Sequence, residues 1–340
     1  MKNLIFSFIC LLAFSNDFAQ TTDSSQFYVN KGMAEMNATR YLAASKTFDK
    51  AIALNYSNVE AYVQNGYAYL AMRQTDNAIM IFRKVHELEP RNIVAIKELM
   101  ELHYNYRQYQ KAIDFAKQCT GCSNAEKILA MSNFHMENYG AAVKGLLPVL
   151  VRNPDDAEVN YALASSYLEN EDNKQAVQYY KKAIQFDGTK NSWMNELGML
   201  YYEMDDYKNA VVYFNMAAAN GFQQNETFTE NLGYAYLYSG DYQKGEKIML
   251  ELSAKKPGNK DIFRDMADAF YKMKMYDKSL EYCQKLLEMD TKDGKALYQA
   301  GLCFQKKGQK EKGQAMCDKA IQLDPSLAGL RKKENFNVGL

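Results

Sequence analysis

Small and bulky apolar residues return at fixed intervals along this chain. Aligning Leu197-Gly198 with Leu232-Gly233 brings out a unit of 34 residues, with starts at Ser25, Val59, Ile93, Ser123, Ala157, Asn191, Glu226, Lys260 and Gly294. The step is 34 throughout, except for 30 after the third unit and 35 after the sixth. A period of this size is the mark of a repeat array, in which each unit is one supersecondary element. The eighth position holds Gly32, Gly66, Met100, Ala130, Ala164, Gly198, Gly233, Ala267 and Gly301, and the twentieth is small in every unit, from Ala44 to Gly313. Small side chains at two fixed points let two helix backbones approach closely where they cross. Position 24 is mostly bulky (Phe48, Phe82, Leu146, Tyr180, Phe214, Met249) and fills the space beside that crossing. Pro90, Pro154, Pro257 and Pro325 fall at position 32, where proline closes the second helix of a pair.

This pattern resembles the tetratricopeptide repeat, a helix-turn-helix unit with small residues at 8 and 20, aromatics around 11, 17 and 24, and proline at 32. The resemblance covers residues 25–327 and implies an all-α fold, a right-handed superhelical solenoid of about nine repeats. Lys31 and Asn65 depart from the usual leucine at position 7, and Glu35, Asn133 and Met100 depart elsewhere; these weaken individual units, the first above all. No single unit can bury its apolar face alone, so stacked neighbours share one core and the ends need polar caps. Ser326 is expected to cap a short terminal helix through about Asn335, with Leu327 and Leu330 inward and Arg331-Lys332-Lys333 in water.

The first residues read differently. Lys2 precedes an apolar run from Leu4 to Phe14, and Ala19 stands just before Gln20. A charged start, a short apolar stretch and a small residue at the break form a secretory signal. The run is shorter than the roughly 20 residues needed to span a bilayer. Its Phe-Ala-Gln ending resembles bacterial signals, particularly those of Bacteroidota. The expected organisation is a signal peptide over 1–19, a short segment over 20–24, units one to three over 25–122, units four to nine over 123–327, and a capping segment over 328–340. The mature chain is then exported to the periplasm or cell envelope, with no integral membrane span.

Composition narrows the function. The 41 basic and 41 acidic residues cancel, which argues against nucleic acid as the main partner. Three histidines and the lack of a Ser/His/Asp, His/Glu/His or Gly-rich phosphate motif leave no catalytic constellation and call for no cofactor.

Irregularities gather between residues 86 and 150. The third unit is short, His86, His103 and His135 all lie there, and Gly145 and Pro148 interrupt the fourth unit's second helix. A proline inside a helix costs about 3 kcal/mol and kinks it, so a bend is expected between units three and four. Cys119-Thr120-Gly121-Cys122 admits a local disulfide, two buried thiols or a redox centre. A zinc site would draw on His103 and His135, at a spacing that matches no finger. Cys283, Cys303 and Cys317 read as buried small hydrophobes.

In the resembled family, positions 2, 5, 9, 12 and 13 of the first helix line a concave groove. On this chain they include Tyr67, Tyr104, Phe134, Tyr161, Asn195, Met199, Tyr202, Glu203, Tyr234, Tyr238, Arg264, Tyr271, Lys272 and Tyr298. Tyrosine joins apolar area to a polar handle, the chemistry of protein recognition. The resemblance therefore implies a non-catalytic scaffold that binds peptides or other envelope proteins. A self-assembling or glycan-associated envelope factor is the alternative, and a metal or redox site around residues 86–150 is another. The carboxylate clamp of some family members is absent, because Lys97 and Lys127 at position 5 are followed by Glu101 and Met131 at position 9.

Overall fold

The computed structural model describes residues 24–255 and 258–330. Among these residues there are helices and turns but no strand. The signal reading of Met1–Ala19, Pro257 and the Arg331–Asn335 segment lie outside them. The chain parts into two compact units between Phe186 and Asp187. The first holds five helix pairs: α1 (24–37) with α2 (Tyr41–Leu54), α3 (Val59–Ala71) with α4 (Thr75–Leu88), α5 (Ile93–Asn105) with α6 (Tyr109–Ala116), α7 (Ala125–His135) with α8 (Tyr139–Arg152), and α9 (Ala157–Glu169) with α10 (Asn173–Phe186). The second holds α11 (Asn191–Glu203) with α12 (Tyr207–Ala219), α13 (Glu226–Ser239) with α14 (Tyr242–Ala254), α15 (Asp261–Lys272) with α16 (Tyr276–Met289), and α17 (Gly294–Lys306) with α18 (Lys310–Leu323). Repeats three and four, between which a bend was expected, share one compact unit, and α6 packs on α7 as α4 packs on α5.

Each pair is built the same way. Asn58, Asn92, Asp156, Asn225 and Asp293 accept backbone N–H bonds at the starts of first helices. Each first helix ends in a left-handed residue at position 15: Thr39, Arg73, Arg107, Glu137, Glu171, Asp205, Gly240, Lys274 and Gly308. The next N–H returns to the carbonyl five residues back, as in Gln74 to Tyr69 at 2.9 Å and Asp206 to Tyr201 at 2.9 Å. That closure satisfies carbonyls the helix end would otherwise orphan and turns the chain into the second helix.

The crossing is as tight as the small residues imply. A Cβ added at Gly32, Gly66 or Gly198 would come within 2.5, 2.6 or 2.8 Å of the Phe48, Phe82 or Phe214 ring. The bulky residue at position 24 therefore covers position 8 of its own pair. Ala44, Ala78, Ala112, Ala142, Ala176 and Ala210 are fully buried, and Ser279 at the same position donates to the Ala267 carbonyl at 2.7 Å. Burying each phenylalanine contributes about 1.5–3 kcal/mol.

Four of the five departures have a local answer; exposed Lys31 has none. Asn65 is fully buried, accepts from Ser45 Oγ at 2.8 Å and donates to Asp49 Oδ1 at 2.8 Å. Glu35 accepts from Thr47 at 2.7 Å, and Asn133 donates to the Leu129 carbonyl at 2.8 Å. Buried polar groups supplied with partners escape the desolvation cost that would weaken their units. Met100 fills the third crossing because position 24 there is Ala116; the two share one core cluster. Helix α8 runs through Pro148 rather than ending there; Pro148 is exposed, as is Lys144 one turn before it, so water can reach the carbonyl left without its helical partner. At the end of α18, Asp324 rather than Ser326 is the cap, accepting from the Ser326 N–H at 3.1 Å. Leu327 turns inward as expected, whereas Leu330 stays exposed.

Candidate functional site: the inner face of the first helices

First helices of neighbouring pairs touch within each compact unit: α5 with α7, α7 with α9, α11 with α13, and α15 with α17. Their shared face carries the groove candidates. In the first compact unit, Tyr67 is half-buried, sits edge-on to Phe82 at 5.6 Å and donates its hydroxyl to Glu98 Oε1 at 3.2 Å. Burial pushes the Tyr67 phenol up to about 12 and raises the Glu98 carboxyl above its usual range. Tyr104, also pushed up to about 12 by burial, sits edge-on to Tyr109 at 5.9 Å, and Tyr109 stacks on His135 at 4.6 Å. Phe134 continues the run to Tyr161 at 6.3 Å, and Tyr161 meets the buried Tyr180 at 5.9 Å. Beside this run lies a cavity of ≈ 310 Å³, lined among others by Glu101, Asn124, Met131 and Glu158. Lys127 at its edge is held by Asp156 Oδ2 at 2.6 Å.

The second compact unit repeats the arrangement. Tyr202 sits edge-on to Tyr207 at 5.4 Å, and Tyr207 stacks on Tyr238 at 4.8 Å and donates its hydroxyl to Asp205. Burial pushes Tyr202 up to about 12, and Tyr238, Glu230 and Asp205 add to it. Met199 Sδ accepts from Asn231 Nδ2 at 3.1 Å, Asn195 is half-buried and Glu203 is exposed. Tyr271 sits edge-on to Tyr276 at 5.6 Å, Lys272 pairs with Asp268 at 2.7 Å, and Arg264 is pinned between Asp261 at 3.1 Å and Asp293 at 2.9 Å.

Two candidates are misplaced as surface anchors. Tyr298 is 4% exposed and Tyr234 is 9% exposed, because the neighbouring helices cover positions 5 and 9 there. Both belong to core clusters. Conversely, Tyr109, Tyr139, Tyr207 and Tyr276 at position 17 stand beside position 12 of their own pair, where sequence reasoning set no site. The signal was present: position 17 is tyrosine in six of nine units, also including Tyr41 and Tyr242.

Around residues 86–150 the histidines engage aromatic rings. His103 stacks on Phe115 at 5.6 Å and meets Gln108 Oε1 at 2.9 Å, and burial lowers its pKa. His86 sits edge-on to the same ring at 5.4 Å. Helix α6 stops at Ala116, Cys119 turns into a cluster with Ile96, Met100 and Ile128, and the structure joins Cys119 to Cys122 with Cα atoms 5.6 Å apart. Cys283, Cys303 and Cys317 are buried. No three His, Cys, Asp or Glu side chains converge as metal ligands among the described residues, and no helix among them is long and apolar enough to cross a membrane.

Comparison with known proteins is consistent with this geometry. The family model described as tetratricopeptide repeat matches residues 59–92, 157–190, 194–218 and 294–327. These four segments match that repeat, and the other helix pairs share their build. Human Protein O-mannosyl-transferase TMTC1 is 27% identical over 164 residues, 46% of this chain and 18% of that protein. The Protein CTR9 homolog of Arabidopsis thaliana is 22% identical over 310 residues, 77% of this chain and 28% of that protein. The chain thus spans less than a third of the length of these curated relatives. Among solved structures, MamA MSR-1 C2 aligns with TM-score 0.42 and 20% identity, covering 48% of this chain and 97% of that one. YrrB, described as a TPR protein with an unusual peptide-binding site, aligns with TM-score 0.38 and 22% identity, covering 56% and 100%.

Proposed function

We propose that this chain is a non-catalytic scaffold of the cell envelope, holding peptide segments of partner proteins along the inner face of its first helices. The observation that carries the reading is the run of half-buried aromatics at positions 12, 13 and 17. Their rings lock one another in place, so little side-chain entropy remains to be lost when a partner covers them. Tetratricopeptide repeats serve protein–protein interaction, which agrees with this use of the face. The export step rests on the sequence of residues 1–19.

A photo-crosslinking residue at Met199 or Tyr202, introduced one at a time and irradiated in cells, tests the reading. Partner adducts are expected from both positions, and few from Val212 on α12. Adducts confined to Val212, or none at the inner positions, overturn it. Fusing a periplasm-dependent reporter behind residue 20 checks export separately.

Self-assembly is supported by one distinct feature. Leu147, Pro148, Leu150, Val151 and Tyr179 line a cleft of ≈ 830 Å³ on second helices, and Val151 is 83% exposed. Exposed apolar surface of this kind favours association. Light scattering of wild type and Val151→Asp across concentrations decides it.

A further inference from the structure

The inner face is not uniform in charge. On α5, Lys97 stands against Glu98, on α7 Lys127 is held by Asp156 at 2.6 Å, and α17 carries Lys295 and Lys306. Between them, α11, α13 and α15 present Glu203, Glu230, Asp265 and Asp268, joined by Asp205 at the α11–α12 turn. The two cations on this stretch are already engaged, Lys272 by Asp268 at 2.7 Å and Arg264 by Asp261 and Asp293. Glu203 and Asp265 are exposed and form no ion pair among the described residues. These carboxylates surround the tyrosines rather than lying apart from them. Glu230 and Asp205 act on Tyr202, and on Tyr238 the pull of Lys272 is opposed by Asp268, Asp265 and Asp205. Partial burial, and after it the charges of Asp261 and Asp268, raise the Asp265 carboxyl, while Tyr234 and Arg264 pull it down.

An aromatic surface whose surrounding carboxylates outnumber its cations suits one partner chemistry. A lysine or arginine side chain lays its alkyl stem or guanidinium plane on a tyrosine face and puts its charge against a carboxylate. An acidic segment meets like charge on every side. We propose that the face over α11, α13 and α15 takes a basic, extended peptide segment, its Lys and Arg side chains lying on Tyr202, Tyr207 and Tyr238 and against Glu203 and Asp265. This rests on the scaffold reading above and names the class of segment that it would hold.

The test uses a displayed library of random twelve-residue peptides, selected against the full chain and sequenced. Wild type is expected to enrich peptides with an excess of Lys and Arg, whose affinity falls about ten-fold between 0.05 and 0.3 M salt as screening shortens. Glu203→Lys/Asp265→Lys, with wild-type circular dichroism, is expected to lose those peptides and enrich acidic ones, while Tyr202→Ala weakens binding without changing the preferred charge. A selected pool that is neutral or acidic, or that is unchanged by the charge reversal, overturns the basic-segment inference and leaves the scaffold reading standing. Absence of any pool that responds to either inner-face variant also overturns the basic-segment inference; the scaffold reading falls with it only if the crosslinks at Met199 and Tyr202 are lost as well.

Discussion

Exchange of size between positions 8 and 24 makes the third crossing a quantitative test of the packing. Elsewhere a glycine or alanine at position 8 lies under a larger side chain at position 24; here Met100, fully buried, stands at 8 and Ala116 at 24. Met100→Ala removes buried Cγ, Sδ and Cε, and both residues facing the crossing become alanine. The expected loss is about 2–5 kcal/mol. Ala116→Met alone forces two long side chains into one space, at a cost of about 1–3 kcal/mol. Met100→Ala/Ala116→Met moves the same volume to the other helix, the arrangement of the neighbouring pairs, and should return to within about 1.5 kcal/mol of wild type. Native-state hydrogen exchange of α5 and α6 amides reads the local opening free energy directly and does not require the whole array to unfold at once. If the double variant shows the sum of the two single losses, within about 0.5 kcal/mol, the residues do not share one space and the size-exchange argument is wrong.

Three further outcomes follow from the same geometry. Gly198→Ala places a Cβ 2.8 Å from the Phe214 ring and should cost about 1–3 kcal/mol, while Ala210→Arg should unfold or badly loosen the second compact unit; melting like wild type by circular dichroism refutes the assigned register. Burial raises the folded-state pKa of Glu98 above its unfolded value, so its ionised form opposes folding and stability rises as pH falls through that titration. Glu98→Gln, which keeps an acceptor for Tyr67, is therefore expected to raise the melting temperature at pH 8 and to lose that advantage at acid pH; a pH-independent difference contradicts it. The Cys119–Cys122 disulfide closes so short a loop that its reduction should cost about 2 kcal/mol or less, confined to the α6–α7 turn and seen as faster proteolysis near Gly121.

Much of the fold was legible because the crossing repeats one steric requirement. Gly66, Ala78 and Phe82 recur as a set, and six first helices begin at the residue that opens the repeat. The α7 start fell two residues later, at Ala125 rather than Ser123, because Cys119–Cys122 and the short α6 displace the turn before it. Face residues were harder to sort. Tyr234 and Tyr238 occupy adjacent inner positions in the sequence pattern, yet only the second remains half-exposed, since burial at position 9 depends on the size of the neighbouring helix's residues. Tyr207 was passed over because position 17 opens the second helix, and only the close turn brings its ring onto Tyr202 and Tyr238. Polar substitutions such as Asn65 look like defects until Ser45 and Asp49 are seen around them.

The corner joining each pair of helices is closed by main-chain bonds around a left-handed residue, and it has the same form whether that residue is Arg107, Asp205 or Gly308. Its main-chain bonds recur whatever side chains stand at positions 12, 13 and 17 beside it. On the scaffold reading proposed above, recognition and local architecture would be uncoupled: one rung could be rewritten for a new partner while the corner beside it keeps its form.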